Sequence, residues 1–364
     1  MKPLKYLFIS SMLFVATSCG NSWLDLEPST SVDTETSIKI LSDVEFTLNG
    51  IYSTMQSSDA YSGRLVYYGD VTGDDMQAVS STKRVANYYR FNFTKDDNPS
   101  SHWSYLYSII QNCNLILMNI DKLVIDEDDK AYRDDLKGEA LAIRGLALFD
   151  LTRIFGYPYL KDNGASLGVP IIEGLSTIDS KPTRNTVAQC YTKIIDDLTQ
   201  SLSLLGEKFN KGKINKWGAM VLLSRVYLYK GENANALKMA SDAIIGAEKN
   251  KYALWTNEDY PTAWGEDASA SKPGEVLFEI VNLTTDSPGK ESMGYLNSYD
   301  GYDDMCITCS FYQFLKEDPK DIRLKLLSFD KKYYAYVNKY QPQREENIED
   351  ANIPLIRLSE AYPD

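Results

Sequence analysis

Histidine is nearly absent: His102 is the single one in 364 residues. That removes most imidazole acid–base catalysis and the commonest transition-metal ligand sets, leaving metal chemistry to cysteines or carboxylates. Clustered positive charge is missing too. With 38 basic against 51 acidic residues the chain carries −13, and it has no Lys/Arg cluster of the kind that releases counterions from phosphates, which excludes nucleic acid as a partner. No apolar run is long enough to cross a bilayer as a helix. At 24% charged and 43% hydrophobic the composition is that of a globular protein. The length allows two or three domains' worth of core. Aromatic residues are plentiful, with 26 tyrosines and 5 tryptophans, and such amphipathic rings suit packing or ligand surfaces.

Lys2 and Lys5 precede a short apolar run from Tyr6 to Ala16, which predicts a secretory signal peptide over residues 1–18. Ala16-Thr17-Ser18 leads directly into Cys19, the arrangement of a bacterial lipobox. Cys19 is therefore the expected lipidation site, and its acyl chains exceed the two hydrophobic signals that stable anchoring needs. Cleavage removes Lys2 and Lys5 and takes the charge from −13 to −15. Residues 19–36 read as a tether. An extracytoplasmic compartment permits disulfides, and for Cys113, Cys190, Cys306 and Cys309 none, one or two bridges are all open.

From residue 37 to 250 the pattern is mainly helical. Ser42 and Glu45 suggest a capping box ahead of Val44, Leu48, Ile51 and Met55, giving a helix over about 43–56. Trp103, Leu106, Ile110, Cys113 and Leu117 mark a second helix, and Leu136, Ala140, Ile143, Ala147, Leu151 and Ile154 a third that ends at Gly156 and Pro158. A Thr186/Gln189 box opens a fourth through Val187, Tyr191, Ile194, Leu198, Leu202 and Leu205. Leu223, Ser224, Tyr227, Gly231, Ala236, Ala240 and Ala243 fall at the offsets of a tetratricopeptide repeat, with Ser224 where the repeat prefers glycine and a turn around Gly231. One such unit cannot bury its apolar face alone, so the earlier helices are expected to stack with it. Residues 57–100 and 251–350 lose the helical period to glycine and proline; only Glu275 to Leu283 reads as a strand. Binding sites concentrate on such loops.

Three motifs are weighed and set aside. Gly164-Ala-Ser166-Leu-Gly168 matches a nucleophile elbow, but it lacks the strand before, the helix after and any downstream histidine. Cys306 and Cys309 have redox or zinc spacing without the helix setting or the further ligands, so a disulfide or buried thiols are expected. The acidic runs Asp126–Asp129 and Asp300–Asp304 lack the alternation of a calcium loop. A helix start favours Asp128 and Asp129.

The order of segments resembles the SusD/RagB family of outer-membrane nutrient-binding lipoproteins. The resemblance rests on Trp103 to Asn114, on Gly138 to Arg144 leading to Asp150 to Gly156, and on Gly168-Val-Pro-Ile171. It continues through Lys181 to Thr186, Leu223 to Ala243, Glu275 to Glu279 and Ile353 to Glu360. It implies a mainly α fold, a superhelix of four tetratricopeptide-like pairs packed against a loop-rich ligand-binding half with few short strands. It also implies a non-enzymatic lipoprotein of the cell outer membrane that captures oligosaccharides, or less often peptides, for a SusC-like TonB-dependent transporter, with no cofactor and no metal. Asp25 is the first acidic residue after Cys19, sparse for the surface-exported members. Family members continue past Ile353–Glu360, so residues 351–364 are expected to begin a truncated C-terminal repeat helix.

Sugars present C–H faces to aromatic rings and hydroxyls to in-plane polar groups, so a glycan site should mix rings with carboxylates, amides or guanidinium groups. Two loop clusters have that make-up. One is Tyr67, Tyr68, Asp70, Asp74 and Asp75; the other is Trp255, Tyr260, Trp264, Tyr295, Tyr299 and Tyr302. The alternatives are a tetratricopeptide scaffold lipoprotein that binds only proteins, a peptide-binding relative, and a glycan-cleaving enzyme, whose facing carboxylates a sequence cannot display.

Overall fold

The computed structural model describes residues 37–92, 94, 99–177, 179–265, 273–332, 334–340 and 348–362. The signal segment, Cys19 and the tether lie outside the described residues. Helix α1 (Leu41–Met55) buries Val44, Leu48, Ile51 and Met55, the stripe its spacing predicts. Its start differs from the Ser42/Glu45 reading. Ile40 is the N-cap residue, and the Asp43 carboxylate accepts the N–H groups of Lys39 and Ile40 at 2.8 and 3.0 Å. A carboxylate inside the first turn supplies both an acceptor for open N–H groups and the charge that the helix start favours.

The stretch 57–100, read as irregular, holds α2 (Arg64–Thr72), the short strand β1 (Met76–Ala78) and a single turn, α3 (Ala86–Tyr89). Then come α4 (Pro99–Asn119), α5 (Lys130–Phe155), α6 (Val187–Leu204), α7 (Lys216–Lys230) and α8 (Asn233–Lys249). The Thr186/Gln189 box forms as read, with reciprocal bonds of 3.2 and 2.9 Å. Between α7 and α8, Gly231 adopts φ +82°, and the N–H groups of Gly231 and Glu232 return to Leu228 and Tyr227, a complete Schellman stop that needs glycine at its left-handed position. Ser224, on α7, donates to the Ala236 carbonyl of α8 at 2.9 Å. Further along the pair, Trp217 covers Gly246 so closely that an added Cβ would lie 2.0 Å from the indole.

Among the described residues six long helices form one row: α1 packs on α4, α4 on α5, α5 on α6, α6 on α7 and α7 on α8. The fold is mainly α and tetratricopeptide-like, with three pairs among the described residues where the resemblance implies four. Against the row sits the loop-rich half. It comprises α9 (Tyr260–Ala263), β2 (Val276–Ile280), α10 (Met293–Leu296), β3 (Met305–Ile307), α11 (Cys309–Lys316), β4 (Leu327–Phe329), β5 (Ala335–Val337) and β6 (Ile353–Arg357). Among the described residues three antiparallel two-stranded ladders tie it together: β1 with β3, β2 with β6, and β4 with β5. All five residues of β2 are buried. The segment 351–364, expected to start a helix, instead supplies β6 and then one 3-10 turn, Leu358–Ala361. Pro354 pushes Ile353 into extended backbone, and β-branched Ile353 and Ile356 turn into the core beside β2.

The row is pinned by a buried ion pair. The Arg144 guanidinium donates to both oxygens of Asp197 at 2.8 and 2.6 Å and to Asn114 Oδ1 at 2.8 Å. Asn114 Nδ2 in turn reaches the carbonyls of Ile172 and Gly174 at 2.8 and 3.0 Å. One cluster thus spans α4, α5, α6 and the loop after α5. Asp197→Ala strands the guanidinium in the core and is expected to lower unfolding free energy by about 3–5 kcal/mol in urea titration. The double change Arg144→Met with Asp197→Leu should cost much less.

Between α1 and α5, Tyr52 donates to Glu139 Oε2 at 2.7 Å and accepts the Ile214 N–H at 3.1 Å. Burial pushes the Glu139 carboxyl up from 4.5 to about 7, opposed by Lys213 and by the Tyr52 hydroxyl. The folded chain therefore holds this proton where the unfolded chain has released it. Its stabilisation is full below pH 4.5 and is lost as pH rises to about 7. Across that window the stability of the native chain relative to Glu139→Gln should fall by roughly 3 kcal/mol, read by denaturation at stepped pH.

Candidate ligand-binding site

Ladder β1–β3 sets Gln77 opposite Cys306 and so joins the two loop regions. At this junction lies a cavity of about 180 Å³. Asp70 and Asp75 line it from the first cluster and Tyr260 from the second. Its apolar walls come from Met76, Met293, Met305, Phe311, Leu315, Leu326, Leu327 and Val337, and Asn297, Arg323, Lys339 and Tyr340 complete it. The Thr308 N–H and hydroxyl hold the Asp75 and Asp74 carbonyls at 3.0 and 2.8 Å, which fixes the loop that carries both carboxylates.

Beside the cavity Trp255, Tyr260 and Trp264 pack edge to face, their centroids 5.0 to 6.1 Å apart. Arg357 lies 4.7 Å from the centre of Trp264 and 5.6 Å from that of Trp255, and Lys339 is 4.7 Å from Trp264. Cations over ring faces are favourable. Glu275 anchors the group: its Oε1 accepts Arg357 Nη1 at 2.8 Å and the Ser359 hydroxyl at 2.5 Å, and its Oε2 accepts the Trp255 N–H at 2.9 Å. Desolvation and the nearby Arg357 charge pull the Lys339 ammonium below its ordinary value, with Asp70 opposing.

The remaining members of the two clusters go elsewhere. Tyr67 is 1% exposed and packs on Tyr88, and Trp264 is also buried; both rings are structural. Tyr68 turns to a different groove, of about 390 Å³, with Asp150, Arg153 and Arg225. Asp74 is exposed at φ 68°. Tyr295 and Tyr302 pair at 5.0 Å, Arg84 covers Tyr302 at 3.9 Å, and Tyr299 is exposed near Tyr336. Sequence reasoning missed Asn297, Lys339 and Arg357. Lys339 carried a faint signal, since Ala335, Val337 and Lys339 share one parity in an alternating run.

The motifs set aside find structural roles. Ser166 donates its hydroxyl to Asp162 inside a loop. Cys306 and Cys309 depart from the expectation: Cys306 lies buried on β3, but Cys309 is exposed in the first turn of α11, and among the described residues every cysteine is free, so the two form neither a disulfide nor a pair of buried thiols. His102 is buried with Nδ1 2.9 Å from the Asp59 carbonyl oxygen, and burial lowers its pKa.

Comparison with known proteins agrees with this architecture. A SusD-like family model described as "Starch-binding associating with outer membrane" matches residues 22–228. SusD-like protein P2 of Formosa agariphila is 28% identical over 313 residues, covering 83% of this chain. The chain spans about half the length of the curated relatives it matches, 57% and 48% of two from that organism. A Bacteroides vulgatus structure provisionally described as a sugar binding protein is 83% identical, with TM-score 0.88 over 90% of this chain and 73% of its own. A SusD superfamily protein of Bacteroides thetaiotaomicron is 36% identical, with TM-score 0.82 over 89% of this chain and 74% of its own. A laminarin binding SusD-like protein shares the fold at 19% identity, with TM-score 0.72 over 89% of this chain and 79% of its own. A helical row carrying a loop-rich half, matched over most of its length by such relatives, belongs to the SusD/RagB family.

Proposed function

We propose that this is a non-enzymatic binding protein, held at the outer membrane through a lipid on Cys19, that captures an oligosaccharide and delivers it to a SusC-like TonB-dependent transporter. The observation that carries the reading is the 83% identity to the Bacteroides vulgatus protein provisionally described as sugar binding. The chemistry of the loop half supports it. Trp255 and Tyr260 are half-buried rings that pack on each other, and Tyr260 lines the same cavity as Asp70, Asp75 and Lys339, which combines faces for C–H groups with donors and acceptors for hydroxyls. Capture needs no bond making, and the loops supply rings and polar groups on a scaffold that holds them still.

Isothermal titration of the purified chain against a panel containing laminarin, starch oligosaccharides and peptides tests the reading. One glycan should bind saturably, and Trp255→Ala and Tyr260→Ala should each weaken it at least about tenfold, or roughly 1.4 kcal/mol, with helical circular dichroism unchanged. Binding of a protein partner with no glycan bound would favour the scaffold alternative. New reducing ends after long incubation would overturn the non-enzymatic role.

A further inference from the structure

Asn49, Tyr52, Ser53 and the cap residue Gln56 recur at steps of three and four along α1, on a face apart from the apolar stripe that meets the core. They form one wall of a groove of about 270 Å³ whose other walls are the loop 210–213 and the chain that runs from the end of β2 to Asp286. Bonds inside the protein fix this groove and leave part of its polar surface unused. Gln56 Nε2 donates to the Val281 and Asp286 carbonyls at 3.0 and 2.6 Å, so Oε1 remains as an acceptor. Asn210 Oδ1 accepts the Gly212 N–H at 3.0 Å, which leaves Nδ2 as a donor. Reciprocal Leu283–Asp286 bonds of 2.9 Å close the turn that carries Asp286. Gly212 lets the loop lie against the end of β2, since an added Cβ would stand 2.9 Å from Val281 Cγ2.

Among the described residues the side chains of Asn49, Ser53 and Asp286 make no hydrogen bond to the protein, and the Lys213 ammonium makes one long ion contact, 4.0 Å to Glu45. Asn49, Ser53, Asn210 and Asp286 are exposed, and Gln56 and Lys213 half-buried, so a guest in the groove can reach each of them. Donors and acceptors thus converge on one concavity, with Ile280 and Val281 between them as apolar surface. That mixture suits a neutral unit with several hydroxyls, each able to donate and to accept. Lys213 and Asp286 carry opposite charges, which favours neither an anion nor a cation. Groups held in place beforehand lower the ordering cost of capture. The volume lies just under that of small-molecule pockets, roughly 300–1,000 Å³, and limits the occupant to about one sugar unit. Glu275, which anchors the ring cluster, precedes β2 and Val281 follows it, which sets the two places apart by roughly 20 Å of extended chain.

We propose that the groove between α1 and the end of β2 is a second binding site, for a single neutral sugar unit, separate from the site beside the ring cluster. Gln56 and Asp286 accept its hydroxyls, Asn210 and Lys213 donate to them, and Val281 meets its C–H face. The proposal goes beyond the reading under Proposed function and does not depend on it.

The test removes the ring cluster from the full chain with Trp255→Ala and Tyr260→Ala and titrates the product, by ligand-observed NMR, with the methyl glycosides of glucose, galactose and mannose and with trialanine. One glycoside should bind saturably. Adding Ser53→Phe, which fills the groove from an exposed position on α1, should abolish that binding with helical circular dichroism unchanged. Asn49→Ala, a smaller change on the same exposed face, and Asn210→Ala should each weaken it at least about threefold. Absence of saturable glycoside binding in the ring-deleted chain, binding untouched by Ser53→Phe, or preference for trialanine would overturn the groove assignment. If saccharide binding in the native chain disappears with the rings, the groove assignment falls and the proposed function stands. Saccharide binding that survives loss of the rings and is lost with Ser53→Phe supports the groove and removes the ring cluster from the proposed function.

Discussion

Two charges placed out of reach of water, Arg144 and Asp197, set the terms for the helical row. A buried ion pair is tolerable only when its geometry is good and its remaining hydrogen-bonding capacity is met. Here the guanidinium is bidentate to the carboxylate and turns its third nitrogen to Asn114. Lys193 stands 3.2 Å from the same carboxylate and 2.8 Å from Glu173, which extends the network to the surface. Three helices and a loop must all hold their rotation for these bonds to form together. Nonspecific apolar packing would allow the helices to slide; the directional bonds do not.

The row then carries the loop half through further polar fastenings. Tyr61 donates to Asp150 near the C-terminal end of α5 at 2.8 Å, Arg225 of α7 is bidentate to Glu360, and Asn215 reaches the Leu277 carbonyl of β2 at 2.9 Å. Several of these residues belong to the segments that carried the family resemblance, and the structure gives those segments a physical reason. They are the places where the helical row and the loop-rich half are fastened to each other.

How much of this was legible in the sequence depends on the range of the interactions. Helices α1 and α4 to α8 were readable because each imposes a three-to-four residue stripe, and the Gly231 stop was readable because only glycine fits its left-handed turn without strain. Three-residue strands have no period to detect, and the partner of Gln77 is Cys306, 229 residues away, so β1 and β3 could not be paired by inspection. Residue type misled where burial decided the role: Tyr67 and Trp264 look like ligand rings and serve as core, while Asn297 looks like an ordinary turn residue and ends in a cavity wall. The C-terminal segment misled for a different reason: its helix was expected from the family resemblance, whereas Ile353–Arg357 pairs as β6 with β2, a partner about 75 residues earlier in the chain.

The ladder between β1 and β3 has a consequence for the order in which the molecule comes together. Contacts along the helical row are between neighbours in the chain, whereas the β1–β3 clasp beside the cavity joins residues 229 positions apart, and such distant closures come late and open early. A guest touching Met76 of β1 on one side and Met305 of β3 on the other, both in the cavity lining, would act as a splint across that clasp. Cargo and receptor would then hold each other in shape, and an unladen molecule would keep its helical frame while its grip slackens.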